Sequence, residues 1–232
     1  MMSVSEENNR NNENIQLNQD DQQVYNKWSN YFKYKMNQLG SNEAQLYETQ
    51  EQEAIKRKQH IRCEKWKDQL INNSPMIRFL LQNLKKVNCP FTPQNFVCAP
   101  CDGTKSSAFD PQGSIVLCQN GFSSKSHLET TMAHELIHAF DNCRYNVNWN
   151  NMYHLACSEI RAASLSGDCR FFNELKRGKF GIAKQHQACV KRRAILSVMS
   201  HPLCPNEETA EKSVLAVFDS CFKDTTPFEE IY

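Results

Sequence analysis

The 232-residue chain has no apolar run as long as the ~18 residues a membrane-spanning helix needs, and its mean hydropathy is −0.66. A simple transmembrane helix is therefore excluded. Charge of one sign is also lacking. The chain has 27 Lys and Arg against 26 Asp and Glu, a formal net charge of +1. Nothing draws it as a whole to nucleic acid or to an anionic membrane. The first two dozen residues are Asn, Gln, Glu and Asp with almost nothing to bury, so residues 1–24 read as a disordered polar tail. Arg10 is their one basic residue and they hold no apolar core, so neither a secretory signal nor an Arg-rich presequence is visible. A second Cys-x2-Cys is missing too. Cys98-Ala-Pro-Cys101 stands alone, which weakens the case for a four-thiolate structural zinc.

What is present centres on Ser126 to Arg144, SHLETTMAHELIHAFDNCR. Ser126 followed by Glu129 has the spacing of a capping box. Leu128, Met132, Leu136 and Phe140 then recur at helical spacing and predict a buried helix. His134 and His138 stack one turn apart on another face, and Glu135 follows the first of them. This is H-E-x-x-H, in which two imidazoles hold one metal and the Glu addresses a water on it. Two satisfied core histidines would be the plainer account, but the capped amphipathic helix around them favours a metal.

A catalytic zinc needs a third protein ligand and an open position. Asp141 is one candidate, yet it lies too far along a continuous helix to share a metal with His134, given a rise of ~1.5 Å per residue. Glu159, in HLACSEIRAASLSGDC, lies on a second helix ending near Gly167. A Glu on a following helix is the arrangement of His2Glu sites. Glu159 is favoured, with Asp141 as a partner to a ligand histidine. The thermolysin pattern also places an Asp four residues after its Glu, where this chain has Ala163. Tyr145, Tyr153 and His154 are candidates for a second oxyanion donor.

Elsewhere, Tyr25, Trp28, Tyr31, Phe32 and Tyr34 interleave with lysines, reading as a docking helix or, less plainly, a membrane-surface patch. Residues 43–70 read as a solvated helix, and residues 25–61 form an aromatic, basic and charged helical extension. Ser74 and Pro75 start a short core helix carrying Ile77, Leu80, Leu81, Leu84 and Val87. The folded domain is placed at 62–232. A turn at Asp110 to Gly113 precedes a strand, Ser114 to Cys118, whose edge could pair with an extended substrate. Phe180 to Met199 and Glu207 to Phe222 read as helices, the second begun by Asn206; Lys191, Arg192 and Arg193 read as a solvated charge run. Eleven cysteines allow five disulfides and one thiol, which needs an oxidising compartment.

HELIHAFDNCR, HLACSEIRAASLSGDC, Ser74-Pro75, Ile115 to Asn120, Lys184-Gln185-His186-Gln187 and Ser220-Cys221-Phe222 together resemble the mitochondrial inner-membrane zinc metalloprotease and ATP synthase assembly factor family. The resemblance covers roughly residues 60 to 228. It implies a zinc endopeptidase of the intermembrane space, peripheral on the inner membrane. Such enzymes cut the N-terminal extension from a membrane-embedded ATP synthase subunit precursor and assist its assembly. It also implies a disulfide-rich chain trapped in its compartment by oxidation, one zinc per chain, and no nucleic-acid partner. The family's HExxH residues fall on His134, Glu135 and His138, with Glu135 catalytic; Glu159 as third zinc ligand rests on spacing. A non-proteolytic assembly factor with a structural metal, and a thiolate-zinc module of the cytosol or nucleus, are the alternatives. The expected fold is α+β and zincin-like, mostly helical with a small sheet, and disulfide-stabilised.

Overall fold

A computed structural model describes residues 18–103, 105–170 and 185–229. The chain divides into two compact units, Met1–Ile55 and Lys56–Tyr232. In the first, helix α1 (Gln19–Lys35) starts inside the polar stretch expected to be disordered. Asn18 accepts the backbone N–H of Asp21 at 2.8 Å, and Asp20, Asp21, Lys33 and Lys35 oppose the helix dipole at the two ends. Asn37, at φ 52°, ends the turn that follows, and α2 (Ser41–Asn73) begins. Tyr34 packs on Tyr47, centroids 5.0 Å apart, and donates to Glu48 at 2.5 Å. The compositional boundaries at residues 24 and 61 fall inside α1 and α2 rather than between elements.

In the second unit, the end of α2 buries Cys63 and Leu70. Ser74 caps α3 (Pro75–Lys86), whose Ile77, Leu80 and Leu84 are fully buried. Three short strands follow: β1 (Phe96–Ala99), β2 (Ser107–Asp110) and β3 (Ser114–Cys118), in the order β1-β3-β2. β3 runs parallel to β1 and antiparallel to β2. The strand expected at Ser114 to Cys118 is thus the central one. Both its edges are paired, so it cannot take an extended substrate; β2 is the edge strand on that side.

Helix α4 (Lys125–Arg144) crosses beside β2 and buries eleven side chains, from Leu128 to Asp141. Its cap is Ser124, which accepts from His127 N–H at 3.1 Å, in place of the capping box expected at Ser126 and Glu129. Glu129 is engaged elsewhere, accepting the Ser74 hydroxyl at 2.5 Å and so joining the starts of α3 and α4. Helices α5 (Met152–Leu165), α6 (Gln185–Met199) and α7 (Glu207–Lys223) pack on one another around Ile160, Val190 and Val214. The expected helix start at Phe180 lies outside the described residues.

Five disulfides hold this unit: Cys63–Cys98, Cys89–Cys143, Cys101–Cys118, Cys157–Cys221 and Cys169–Cys189, leaving Cys204 as a thiol. Cys98 and Cys101 belong to different bridges, which overturns any thiolate-zinc site built on that pair. Each bridge removes conformations from the unfolded chain, an effect of about 2–4 kcal/mol. Thiol alkylation checks the pattern. Unreduced, denatured protein should label once, and the Cys204→Ser variant not at all. More than one label on the unreduced wild type would contradict these pairings.

Candidate metal centre

Helical spacing puts His134 and His138 on one side of α4, their ring centroids 4.7 Å apart. α5 brings Glu159 against them, Oε2 at 3.3 Å from His134 Nε2 and Oε1 at 3.6 Å from His138 Nε2. One ligand atom from each of the three lies within 4.8 Å of the others. Glu159 is buried, and its Oε2 has no hydrogen-bond partner. Burial works against its charge, but His138, His134 and the Ser197 hydroxyl hold the carboxyl down at about 2. The same carboxylate, with Glu135 and Asp168, raises the pKa of His134 above its ordinary value against the effect of burial. Three converging donors and an orphaned anionic oxygen fit a divalent cation. Two imidazoles and a carboxylate are a set that suits zinc.

Asp141, the other candidate ligand, is not among them. Its Oδ1 accepts Arg161 Nε at 3.0 Å and its Oδ2 accepts the Ser158 hydroxyl at 2.8 Å. Ser158 Oγ in turn lies 2.8 Å from His138 Nδ1. Burial raises the Asp141 carboxyl above its ordinary pKa. The Arg161 guanidinium, 2% exposed, works against that rise with a positive charge at 3.0 Å. A carboxylate only accepts, so the single Ser158 proton goes to Asp141 and Ser158 accepts from His138 Nδ1–H. Nε2 is then the nitrogen that faces Glu159. Arg161 also donates through Nη1 to the Asp224 carbonyl at 2.7 Å and through Nη2 to the Thr226 carbonyl at 2.5 Å, tying the C-terminal segment to the same chain of contacts. Ala163, where thermolysin-like chains have an acid, is packed in the core; the acid comes from α4 through a serine instead.

Glu135 is buried beside the imidazoles, its Oε1 accepting the Ser107 hydroxyl of β2 at 2.6 Å. Phe109 and Trp149 flank the His138 ring at centroid distances of 6.5 and 5.9 Å. A cleft of about 640 Å³ opens over these groups, walled by β2, α4 and α6. Arg193, of the charge run read as solvated, lines it with a side chain that is 41% exposed. Its Nε donates to Asp168 Oδ2 at 2.6 Å. None of Tyr145, Tyr153 and His154 lines the cleft. The Tyr145 hydroxyl lies 3.2 Å from both Asp224 and Thr226, and His154 Nδ1 accepts Asn148 N–H at 3.0 Å. Sequence reasoning missed Ser107, Ser158 and Arg193. Only Ser158 left a trace, as a polar residue next to Glu159 in a helix that is otherwise buried.

A buried carboxylate between two helical histidines, with a second carboxylate lining the cleft, is the kind of donor set that metal-dependent hydrolases use. The family model for the Peptidase M76 family matches residues 61–229, and the chain belongs to that family. It is 45% identical to the Mitochondrial inner membrane protease atp23 of Aspergillus clavatus over 214 residues, 90% of this chain and 89% of the relative. It is 44% identical to the Mitochondrial inner membrane protease ATP23 of Kluyveromyces lactis over 221 residues, 90% of each chain. The protein of the same name from Yarrowia lipolytica is 42% identical over 206 residues, 88% of this chain and 82% of its own. No solved structure matches the chain.

If Ser158 fixes the His138 tautomer, Ser158→Ala should weaken zinc binding about 10–100-fold in chelator competition. Ser158→Thr, which keeps the hydroxyl, should recover most of the loss. Unchanged affinity in Ser158→Ala would mean that something else holds Nδ1.

Proposed function

We propose that this chain is a zinc metalloendopeptidase of the mitochondrial intermembrane space. In this reading it lies peripherally on the inner membrane, processes a membrane-embedded ATP synthase subunit precursor and assists ATP synthase assembly. The observation that carries the peptidase reading is the convergence of His134, His138 and Glu159 on one point with Glu135 beside it, at the floor of an open cleft. Membership of a peptidase family and relatives named as inner membrane proteases support it. The compartment is supported by five disulfides, which need oxidising surroundings. Peripheral attachment is consistent with the finding that no helix among the described residues is long and apolar enough to cross a membrane. The ATP synthase precursor is proposed from the motif resemblance alone. A zincin-like architecture is supported by the active-site helix lying against an antiparallel edge strand.

Zinc held by His134, His138 and Glu159 would supply an acidified water and a Lewis acid for the scissile carbonyl. The protein's own residues do the rest. Ser107 fixes one oxygen of Glu135, so the other can take the proton of the attacking water and later hand it to the leaving amine. The outer edge of β2 offers backbone groups to an extended peptide, which would lie across the cleft by strand addition. Arg193, anchored through Nε and lining the cleft, is placed to donate to a substrate carbonyl. Phe109 and Trp149 line the cleft beside His138 as apolar walls.

The decisive experiment measures zinc per chain and peptide cleavage together. Wild type should hold about one zinc, lost in His138→Ala and Glu159→Ala. Glu135→Gln should keep zinc and fold while losing cleavage by at least about 100-fold. Zinc retained in Glu159→Ala would remove it as a ligand. Full assembly activity in an uncleaving Glu135→Gln would favour the reading as a non-proteolytic assembly factor. Separately, Arg193→Gln should lower kcat/KM by about 100-fold with zinc content intact. A change under about threefold would take Arg193 out of the reaction.

A further inference from the structure

Helix α1 buries none of its residues, yet it and its C-cap carry the largest group of exposed apolar side chains among the described residues. Val24, Trp28, Phe32 and Met36 succeed one another at four-residue spacing, and Tyr25 and Tyr31 border them, so all six share one side. Trp28 is 57% and Phe32 52% exposed. The rings of Trp28, Tyr31 and Phe32 meet at centroid distances of 5.6 to 6.1 Å, forming one continuous apolar surface. The contact of α1 with α2 runs through Tyr34 on Tyr47 and Glu48, with Tyr31 at its margin, and leaves Trp28 and Phe32 exposed. An exposed apolar surface of this kind marks an interaction site.

We infer that α1 is an interfacial anchor, lying in the plane of a lipid bilayer with the Val24–Trp28–Phe32 side immersed at the headgroup boundary. This rests on the inner-membrane reading above and assigns it a surface. Two observations favour lipid over protein. Trp and Tyr, an apolar body with a polar tip, suit the water–lipid boundary, and here they sit on one helix with Phe, Val and Met. Lys27 at the border of that side, and Lys35, whose Nζ lies 6.0 Å from the centre of the Tyr31 ring, can run their stems along it and reach headgroups. The charges on α1 nearly cancel, with Lys27, Lys33 and Lys35 against Asp20 and Asp21. Ring immersion must therefore dominate, and binding should survive high salt.

The test is co-sedimentation of the full chain with vesicles of phosphatidylcholine and phosphatidylglycerol, run beside cleavage of a soluble peptide. Wild type should bind, and the double variant Trp28→Glu/Phe32→Glu should bind about tenfold more weakly or worse, with peptide cleavage unchanged. The Trp28→Ala/Phe32→Ala pair, which favours helix, should show an intermediate loss. Equal binding by wild type and the Glu variant, or no binding by wild type, would overturn the inference. A wild-type dimer without vesicles that the Glu variant breaks would reassign the face to a second copy. Failure of wild type to cleave would count against the peptidase reading and leave the vesicle result standing by itself.

Discussion

A buried negative charge on Glu159 is the constraint around which the catalytic unit is arranged. An isolated carboxylate in an apolar interior is unstable unless positive charge meets it. Among the described residues the two α4 imidazoles face it, and a cation between them and the carboxylate would meet the same need. Because His138, His134 and Ser197 hold the Glu159 carboxyl at about 2, it does not escape by taking a proton at neutral pH. The helices must then stay in register, for a shift of one turn would leave an anion in the core. Metal binding and the packing of α4 on α5 are thus one requirement seen from two sides.

The covalent links follow the same logic. Cys157–Cys221 joins α5 to α7, and Cys169–Cys189 joins the end of α5 to α6, so the helix that carries Glu159 is fixed to both its neighbours. Cys63–Cys98 and Cys101–Cys118 fix β1 and β3, and β3 positions the β2 edge against α4. Arg161 adds a non-covalent tie from the same helix to the C-terminal segment through Asp224 and Thr226. A small three-stranded sheet and short helices would otherwise hold a cleft of this size loosely.

Much of this was legible in the sequence where local chemistry decides. Ser74-Pro75 and Asn206 signalled helix starts because a cap uses only neighbouring residues, and the apolar run at Ser114 to Cys118 signalled a strand. His134, Glu135 and His138 share a helix, so their relation follows from spacing. β1 and β2 were missed because four-residue strands are defined by their partners, which lie elsewhere in the chain. The α4 cap was misplaced because two serines compete. The choice falls to Ser124 where Phe122 is buried and its carbonyl is held by Arg62 at 3.2 Å. In the run Lys191 to Arg193, consecutive residues point about 100° apart on a helix. Lys191 sits 4.3 Å from the centre of the Phe218 ring, while Arg193 reaches into the cleft, and nothing in three adjacent charges says which will do so.

The serine between His138 and Asp141 has a geometric explanation. Asp141 follows His138 by three residues on the same helix, and its carboxylate is drawn towards Arg161, so it does not reach Nδ1 directly. Ser158 supplies the missing link from the facing helix. Because Ser158 and Glu159 are consecutive, α5 meets one imidazole at both nitrogens, with the hydroxyl on Nδ1 at 2.8 Å and the carboxylate 3.6 Å from Nε2. The pair sets tautomer, ring plane and ligand position in a single contact between helices. A displacement of α5 that spoiled the carboxylate contact would also release the hydroxyl, so the two contacts are held together or lost together.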